Sequence, residues 1–523
     1  MFRYLWPFLF LLALQPFCRS ITPDVFRRYG LPVSETVLQD YGFFPEKWRD
    51  EMKQTVKEMF YFSYDSYMQH AFPLDELNPV ECIGRGPDWN DPSHININDV
   101  LGNYSLTLID SLDSSAGALD ILFNVFGNIS EFHRAVHLIT ERVSFDQDTT
   151  VQVFEATIRV LGGLLSAHLL LNDPHVFPSA RLPGYDNELL DLAADLAVRL
   201  SGAFDGTATG LPHPRSTSVT GNEKTGLLGN TIDIRTGVWL DHTSGLGAGM
   251  DSFYEYLLKA YILFGDEAYL DMWNEAYNHI KVHQRMGDVS CGVDSNSHPL
   301  FINANMLSGT TANHWVDSLA AAFPAVQILA GDAPDAICLH NFYVNVWALF
   351  GALPERFNWH AEQAVIPLYP LRPELAESTY FLYRATRNPF YLHVGKMMVE
   401  SLNEMARTKC GFATVHSVLD KSLEDRMESF FLSETLKYLY LLFDEDNPVN
   451  KHEERLLFTT EGHILPLSSH YQTPLWDPIA TDRTDKPSYF CAAHNPLLRY
   501  ALPVEVISWK SNNPDHQEPR CSQ

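Results

Sequence analysis

Positive charge is scarce in this chain of 523 residues: 37 Lys and Arg stand against 65 Asp and Glu, a formal net charge of −28 at pH 7. So acidic a surface repels phosphate backbones and anionic headgroups. Nucleic acid and anionic membrane are therefore excluded as partners, and neutral or cationic ligands, calcium among them, are left. Cysteine is sparse and scattered. Outside the N-terminal segment it occurs as Cys82, Cys291, Cys338, Cys410, Cys491 and Cys521. No two form a C-x-x-C pair and no histidine lies at a zinc-like spacing, which argues against a zinc site. Long apolar runs are also missing, with one exception. "MFRYLWPFLFLLALQPFCRS" has a short basic start, an apolar run from Leu5 to Leu14 and small residues near its end. That pattern predicts a secretory signal peptide over residues 1–20. The run is short for a membrane span, and an uncleaved anchor is the alternative. In an oxidising compartment some cysteines should pair, and Asn103-Tyr-Ser and Asn128-Ile-Ser are candidate glycosylation sites.

Strand-like alternation is rare as well. "GLLGNTIDIRTGVWL" (226–240) alternates around a Thr-Gly turn and predicts a β-hairpin. Most of the rest, from about Pro45 to Phe443, reads as helices separated by Gly, Asn, Asp and Pro turns. From Pro466 onward the chain has little period and reads as an extended or disordered tail over 466–523. Several helices share a degenerate pattern: an acid, an apolar aromatic-rich stretch, then an Asp or Asn turn. "EATIRVLGGLLSAHLLLND" from Glu155, "DSFYEYLLKAYILFGDE" from Asp251, "ESTYFLYRATRNP" from Glu377 and "ESFFLSETLKYLYLLFDED" from Glu428 carry it, and Asp110 opens a looser copy. Amphipathic helices alternate with these. The alternation predicts an all-α (α/α) toroid over residues 46–465, with an inner helical ring, an outer ring and small β-hairpins.

Parallel inner helices gather their acidic starts at one mouth. Glu155, Asp251, Glu374, Glu377 and Glu428 then share a cavity. The plainer reading of such acids is helix-dipole complementation, worth under about 1 kcal/mol each. A ring of carboxylates against apolar helices is costly unless it serves a ligand. Glycoside hydrolysis fits, because it needs two carboxylates and a flat face for a sugar ring. Glu155 and Arg159 are i, i+4 on an otherwise apolar helix, as are Phe430 and Glu434. Asp251 follows "GLGAGM", a loop that lets backbone approach a ligand but lacks the context of a dinucleotide fingerprint.

At these residues a family is recognisable. "VFEATIRVLGGLLSAH", "GLGAGMDSFYEYLLK", "YPLRPELAESTYFLYRAT", "RMESFFLSETLKYLYLLFDED" and "FTTEGH" resemble the class I α-mannosidases, glycoside hydrolase family 47, and within it the ER degradation-enhancing branch. The resemblance covers roughly residues 60–463. It implies an (αα)7 barrel, inverting removal of α1,2-linked mannose from N-glycans, and one calcium ion. Glu155 matches the proposed general acid, Glu374 the proposed general base and Asp251 a further catalytic acid; Glu428 joins them as a candidate. Arg159, Arg372, Glu377, Phe430, Glu434 and Glu461 match sugar- or calcium-water-contacting positions, and Thr460 the direct calcium ligand. The same resemblance implies a Cys82–Cys410 disulfide and an ER-luminal location. It implies high-mannose N-glycans on misfolded glycoproteins as partners, with an ER oxidoreductase or chaperone beside them. No KDEL-like signal closes the chain, so retention would need a partner or an uncleaved N-terminus.

The chain departs from the family twice. Gly249 stands where the processing enzymes carry arginine. Between Pro214 and Thr225 only a short polar link stands where the family has a helix pair, so the expected barrel lacks one pair. "DSSAGALDILFNVFGNISEF" is also longer than the turn in relatives. A non-catalytic protein that binds glycan or misfolded client is the competing expectation; a toroid hydrolase for another sugar would lack the Thr460 motif.

Overall fold

The computed structural model describes residues 41–472 except 92–93, 116–127, 148, 174, 205–220, 234–235 and 288–298. The expected signal peptide, the polar link after Pro214 as far as residue 220 and most of the expected tail lie outside the described residues. The described fold runs past the expected boundary at 465: strand Ile464–Pro466 and a 3-10 turn Ser469–Gln472 extend it.

Helices dominate. Those used below are α1 (Glu46–His70), α2 (Leu106–Asp110), α3 (Leu112–Ser115), α4 (Ile129–Arg142), α5 (Val153–Asn172) and α6 (Glu188–Ser201). They continue with α7 (Asp251–Phe264), α8 (Glu267–His283), α9 (Ser318–Leu329), α10 (Ala333–Phe350), α11 (Glu374–Thr386), α12 (Phe390–Met405) and α13 (Leu436–Phe443). Two classes alternate. In α11 and α13 nearly every residue is buried, so both helices are covered on all sides. In α1, α6 and α8 only one stripe is buried.

Each inner helix packs on an outer partner: α3 on α4, α5 on α6, α7 on α8, α9 on α10, α11 on α12 and α13 on α1. The inner elements also pack on one another in the series α5, α2–α3, the turn Phe431–Thr435 leading into α13, α11, α9, α7. The series begins at α5 and ends at α7, and residues of both line one cavity.

The sheets are small. The expected hairpin is present as Thr231–Ile232 paired with Trp239–Asp241. Antiparallel Leu456–Phe458 and Ile464–Pro466 carry the turn Thr459–His463 into the core, where Glu461 and His463 are buried. Asp110 does not open a helix as the looser copy implied; it ends α2. Cys82 and Cys410 form a disulfide with Cα atoms 5.6 Å apart, tying the Glu76–Arg85 hairpin region to the segment after α12.

Candidate active site

A cavity of about 860 Å³ opens among the inner helices. Glu155, Arg159, Asp251, Arg372, Glu374, Glu377, Phe430, Glu434, Thr460 and Glu461 all line it. Ten residues drawn from five separate chain segments therefore meet in one place. Glu428 does not join them. It is buried and ion-paired to Arg426, outside the cavity wall. Asn103 and Asn128 lie away from the cavity; Asn128 caps α4, accepting from the Glu131 N–H.

Each wall follows from local sequence. Pro373 precedes α11, where a proline costs no hydrogen bond, and sets Glu374 and Glu377 on the first turn, both buried. Gln152 caps α5 through the Glu155 N–H. A π-turn, Ala156–Leu161, then interrupts α5, and a second, Phe431–Thr435, runs into α13. Gly249, at φ 101°, ends the loop before α7; a Cβ there would collide with Asn230, which also lines the cavity.

The polar groups form two arms around one ring. The Arg159 guanidinium lies 5.3 Å and that of Arg372 5.4 Å from the Phe430 ring centroid, within cation–π range. Arg159 donates to Glu155 (2.8 Å) and to Glu461. Arg372 donates to both oxygens of Glu355 (2.7 and 3.0 Å) and lies 4.0 Å from Glu374. On the α7 side, buried Lys259 pairs with Glu255, donates to the Thr459 carbonyl (3.3 Å) and lies 4.0 Å from Glu377. The Thr460 hydroxyl is 2.9 Å from that of Ser252.

Burial governs the acid strengths. It pushes Asp251 up to about 7, with the Glu255 charge adding and Arg372 opposing. Glu374 is likewise pushed up to about 7, although Arg372 opposes, and Glu377 to about 8 against the pull of Lys259. Glu434 is raised well above the carboxylate range by burial and then by Glu377 and Glu374. Glu374 Oε2 has no hydrogen-bond partner among the described residues.

Sequence reasoning missed Glu255, Ser252, Tyr256 and Glu355. Glu255 is four residues after Asp251, and that spacing could have found it. Glu355 meets Arg372 only through tertiary packing, and no local signal marks it.

The family 47 glycosyl hydrolase model matches residues 59–224 and 215–467. The chain belongs to glycosyl hydrolase family 47. It is 41% identical over 466 residues to ER degradation-enhancing alpha-mannosidase-like protein 1 of Schizosaccharomyces pombe, covering 80% of this chain and 57% of that protein. It is 38% identical over 523 residues to alpha-mannosidase I MNS4 of Arabidopsis thaliana, covering 89% and 77%. The chain thus spans little more than half the length of the fission-yeast relative. Among solved structures, the alpha-1,2-mannosidase from Trichoderma reesei superposes with a TM-score of 0.66 at 23% identity, over 80% of this chain and 99% of that one, a likeness of fold. The two segments matched to family 47 meet at residues 215–224, where the polar link follows Pro214.

Proposed function

We propose that the chain is an α1,2-mannosidase of the ER lumen that trims high-mannose N-glycans on misfolded glycoproteins for degradation, by inverting hydrolysis. The observation that carries this is the meeting of Glu155, Asp251 and Glu374 in one cavity beside the Arg159–Phe430–Arg372 stack. Glu155 donates a proton to the glycosidic oxygen as that bond breaks. Glu374 takes a proton from the water that attacks the anomeric carbon from the opposite face. Its pKa, pushed up to about 7, makes it a stronger base than a free carboxylate while leaving it largely ionised just above neutrality. Asp251, on α7 across the cavity, adds its charge to the groups that raise the Glu374 pKa. Phe430 gives the sugar a flat surface, and Arg159 and Arg372 orient the two carboxylates.

The residues also fit a hard cation. Glu377 and Glu434 are buried acids with raised pKa, Glu374 keeps an unpartnered oxygen, and the Thr460 hydroxyl lies among them. Among the described residues no group of three His, Cys, Asp or Glu is placed to ligate a metal directly. By the resemblance to the family, Thr460 would hold calcium, with Glu377, Glu434 and Glu461 one water removed. When bound, calcium supplies oxygen coordination suited to sugar hydroxyls.

The fold read this way is an (αα)7-type toroid that lacks one inner–outer pair between α6 and α7. The series of inner contacts that starts at α5 and ends at α7, and the family match split at 215–224, both support it. The missing pair also favours a second reading, a protein that binds glycan or misfolded client without turnover. An ER oxidoreductase or chaperone is a further expected partner, and Asn103 and Asn128 are expected to carry glycans. Full-length protein incubated with a defined high-mannose glycan should release mannose, and Glu155→Gln should stop it. Glycan binding without release by the parent chain would establish the second reading instead.

A further inference from the structure

Both helices that present the Arg159–Phe430 contact carry a π-turn, Ala156–Leu161 in α5 and Phe431–Thr435 before α13. Such turns are rare and concentrate at functional sites. Each disturbs the regular ladder, so its backbone groups need partners from elsewhere. Behind the cavity lies a charge cluster fully withdrawn from solvent: Asp110, Asp113, His463 and Lys437. His463 Nε2 is 3.2 Å from the Arg159 carbonyl oxygen, inside the first π-turn, and 3.3 Å from Asp110 Oδ1. Asp110 Oδ2 accepts from Ser433 Oγ (3.2 Å), inside the second π-turn, and lies 3.9 Å from Arg159 Nη1. Glycines make room for this. A Cβ on Gly162 would stand 2.8 Å from His463 Cδ2, and one on Gly163 2.6 Å from the Ile109 carbonyl oxygen.

Asp113 does something different. It accepts from Lys437 Nζ (2.8 Å), Ser166 Oγ (3.0 Å) and the Ile464 N–H (3.0 Å), and lies 3.6 Å from His463 Nδ1. None of these partners belongs to a π-turn.

We propose that Asp110, acting with His463, is a positioning residue that ties the two π-turns to one buried anchor and so fixes Glu155 and Arg159 against Phe430 and Glu434. The proposal rests on reading the cavity as a mannoside site. A π-turn that relaxes to α-geometry displaces the residues on one side of it by about 1.5 Å along the axis and about 100° around it. A shift of that size is enough to lower a rate about 100-fold.

The test compares the full-length parent with Asp110→Asn and Asp113→Asn. It measures kcat and KM for mannose release from a defined high-mannose glycan, together with hydrogen exchange in peptides covering 156–163 and 430–436. Asp110→Asn should lower kcat about 100-fold with KM nearly unchanged, and exchange should rise in both peptides. Asp113→Asn, which leaves Lys437 with the Gly462 carbonyl alone and also removes the charge facing His463 Nδ1, should lower the melting temperature and reduce kcat much less than Asp110→Asn. An Asp110→Asn protein with parental kcat and exchange overturns the proposal, and so does an equal loss of kcat in both variants. If Asp110→Asn fails to fold, Ser433→Ala, which removes the hydroxyl contact to Asp110 (3.2 Å) and the longer one to the Ser429 carbonyl (3.5 Å), must raise exchange in 430–436, and no rise overturns the idea. A parent that releases no mannose refutes the functional reading alone; exchange in the two π-turn peptides then decides the anchoring.

Discussion

Glu374→Gln should make the protein more stable and inactive at the same time. The parent residue is 8% exposed, leaves one oxygen unpartnered among the described residues, and has its pKa pushed from the ordinary 4.5 to about 7 by burial. The sign follows from proton binding. Below about pH 4.5 the group is protonated folded and unfolded, and it has no effect on the balance. Between the two values the folded state holds a proton that the unfolded state has released, so stability falls as pH rises. Above pH 7 the loss is complete, on the order of 3 kcal/mol for a shift of this size. Glutamine keeps the shape and removes the charge, so the variant escapes that loss. Its advantage should be small near pH 5 and grow by about 2 kcal/mol by pH 8.

For a fold of this size about 3 kcal/mol corresponds to roughly 3 °C in melting temperature. The assay is a thermal scan of both proteins in chelator at matched scan rate, near pH 5 and near pH 8, with mannose release measured in parallel. Loss of general-base assistance should cut the rate by about 10²–10⁴. A variant less stable than the parent at pH 8, or a stability difference that does not change with pH, refutes the argument that burial strains this carboxylate. A variant that trims at the parental rate refutes its role as the base.

Reducing the Cys82–Cys410 disulfide, which closes a sequence separation of 328, should lower stability by at most about 5–6 kcal/mol in the chain-entropy model; peptide mapping that finds both thiols free removes the claim. Calcium added after chelation should raise the melting temperature by mass action, and Thr460→Ala should blunt that rise; a melting temperature indifferent to chelator and calcium counts against the ion. Inserting a helix pair between Pro214 and Thr225 should raise both melting temperature and mannose release, since the flanking apolar faces of α5 and α7 gain a neighbour. Equal values for the two proteins would show the pair to be dispensable.

The residues whose placement was legible in the sequence are those fixed by local spacing. Glu374 and Glu377 after Pro373, Glu155 with Arg159, and Phe430 with Glu434 are each one turn apart, and helical period alone puts each pair on one face. The alternation of fully buried with one-sided helices was legible for the same reason. Glu428 was misplaced because an acid at a helix start reads the same whether it faces a cavity or an arginine. Arg426, two residues earlier, takes it here. The π-turns were invisible: one inserted residue in a run of apolar side chains leaves no mark in a 3.6-residue period. Glu355 and His463 reach their partners, Arg372 and Asp110, only through long-range packing.

Acids at helix starts have two possible explanations, and the sign of their pKa shift separates them. A carboxylate placed to serve a helix dipole is stabilised as the anion, so its pKa falls. Outer helices also start with acids: Glu46 in α1, Glu188 in α6 and Glu267 in α8 are exposed first-turn residues. Three acids at inner helix starts shift upward instead. Asp251 and Glu374, at the starts of α7 and α11, are pushed up to about 7 and Glu377 to about 8, each with burial as the largest cause. A favourable dipole sits at each of these ends and is outweighed. Helix formation therefore does not explain these acids; a neutral residue at each position would leave the fold more stable at neutral pH. What they have in common is the cavity, where a cation, a sugar hydroxyl or a proton in transfer can supply what the helices do not.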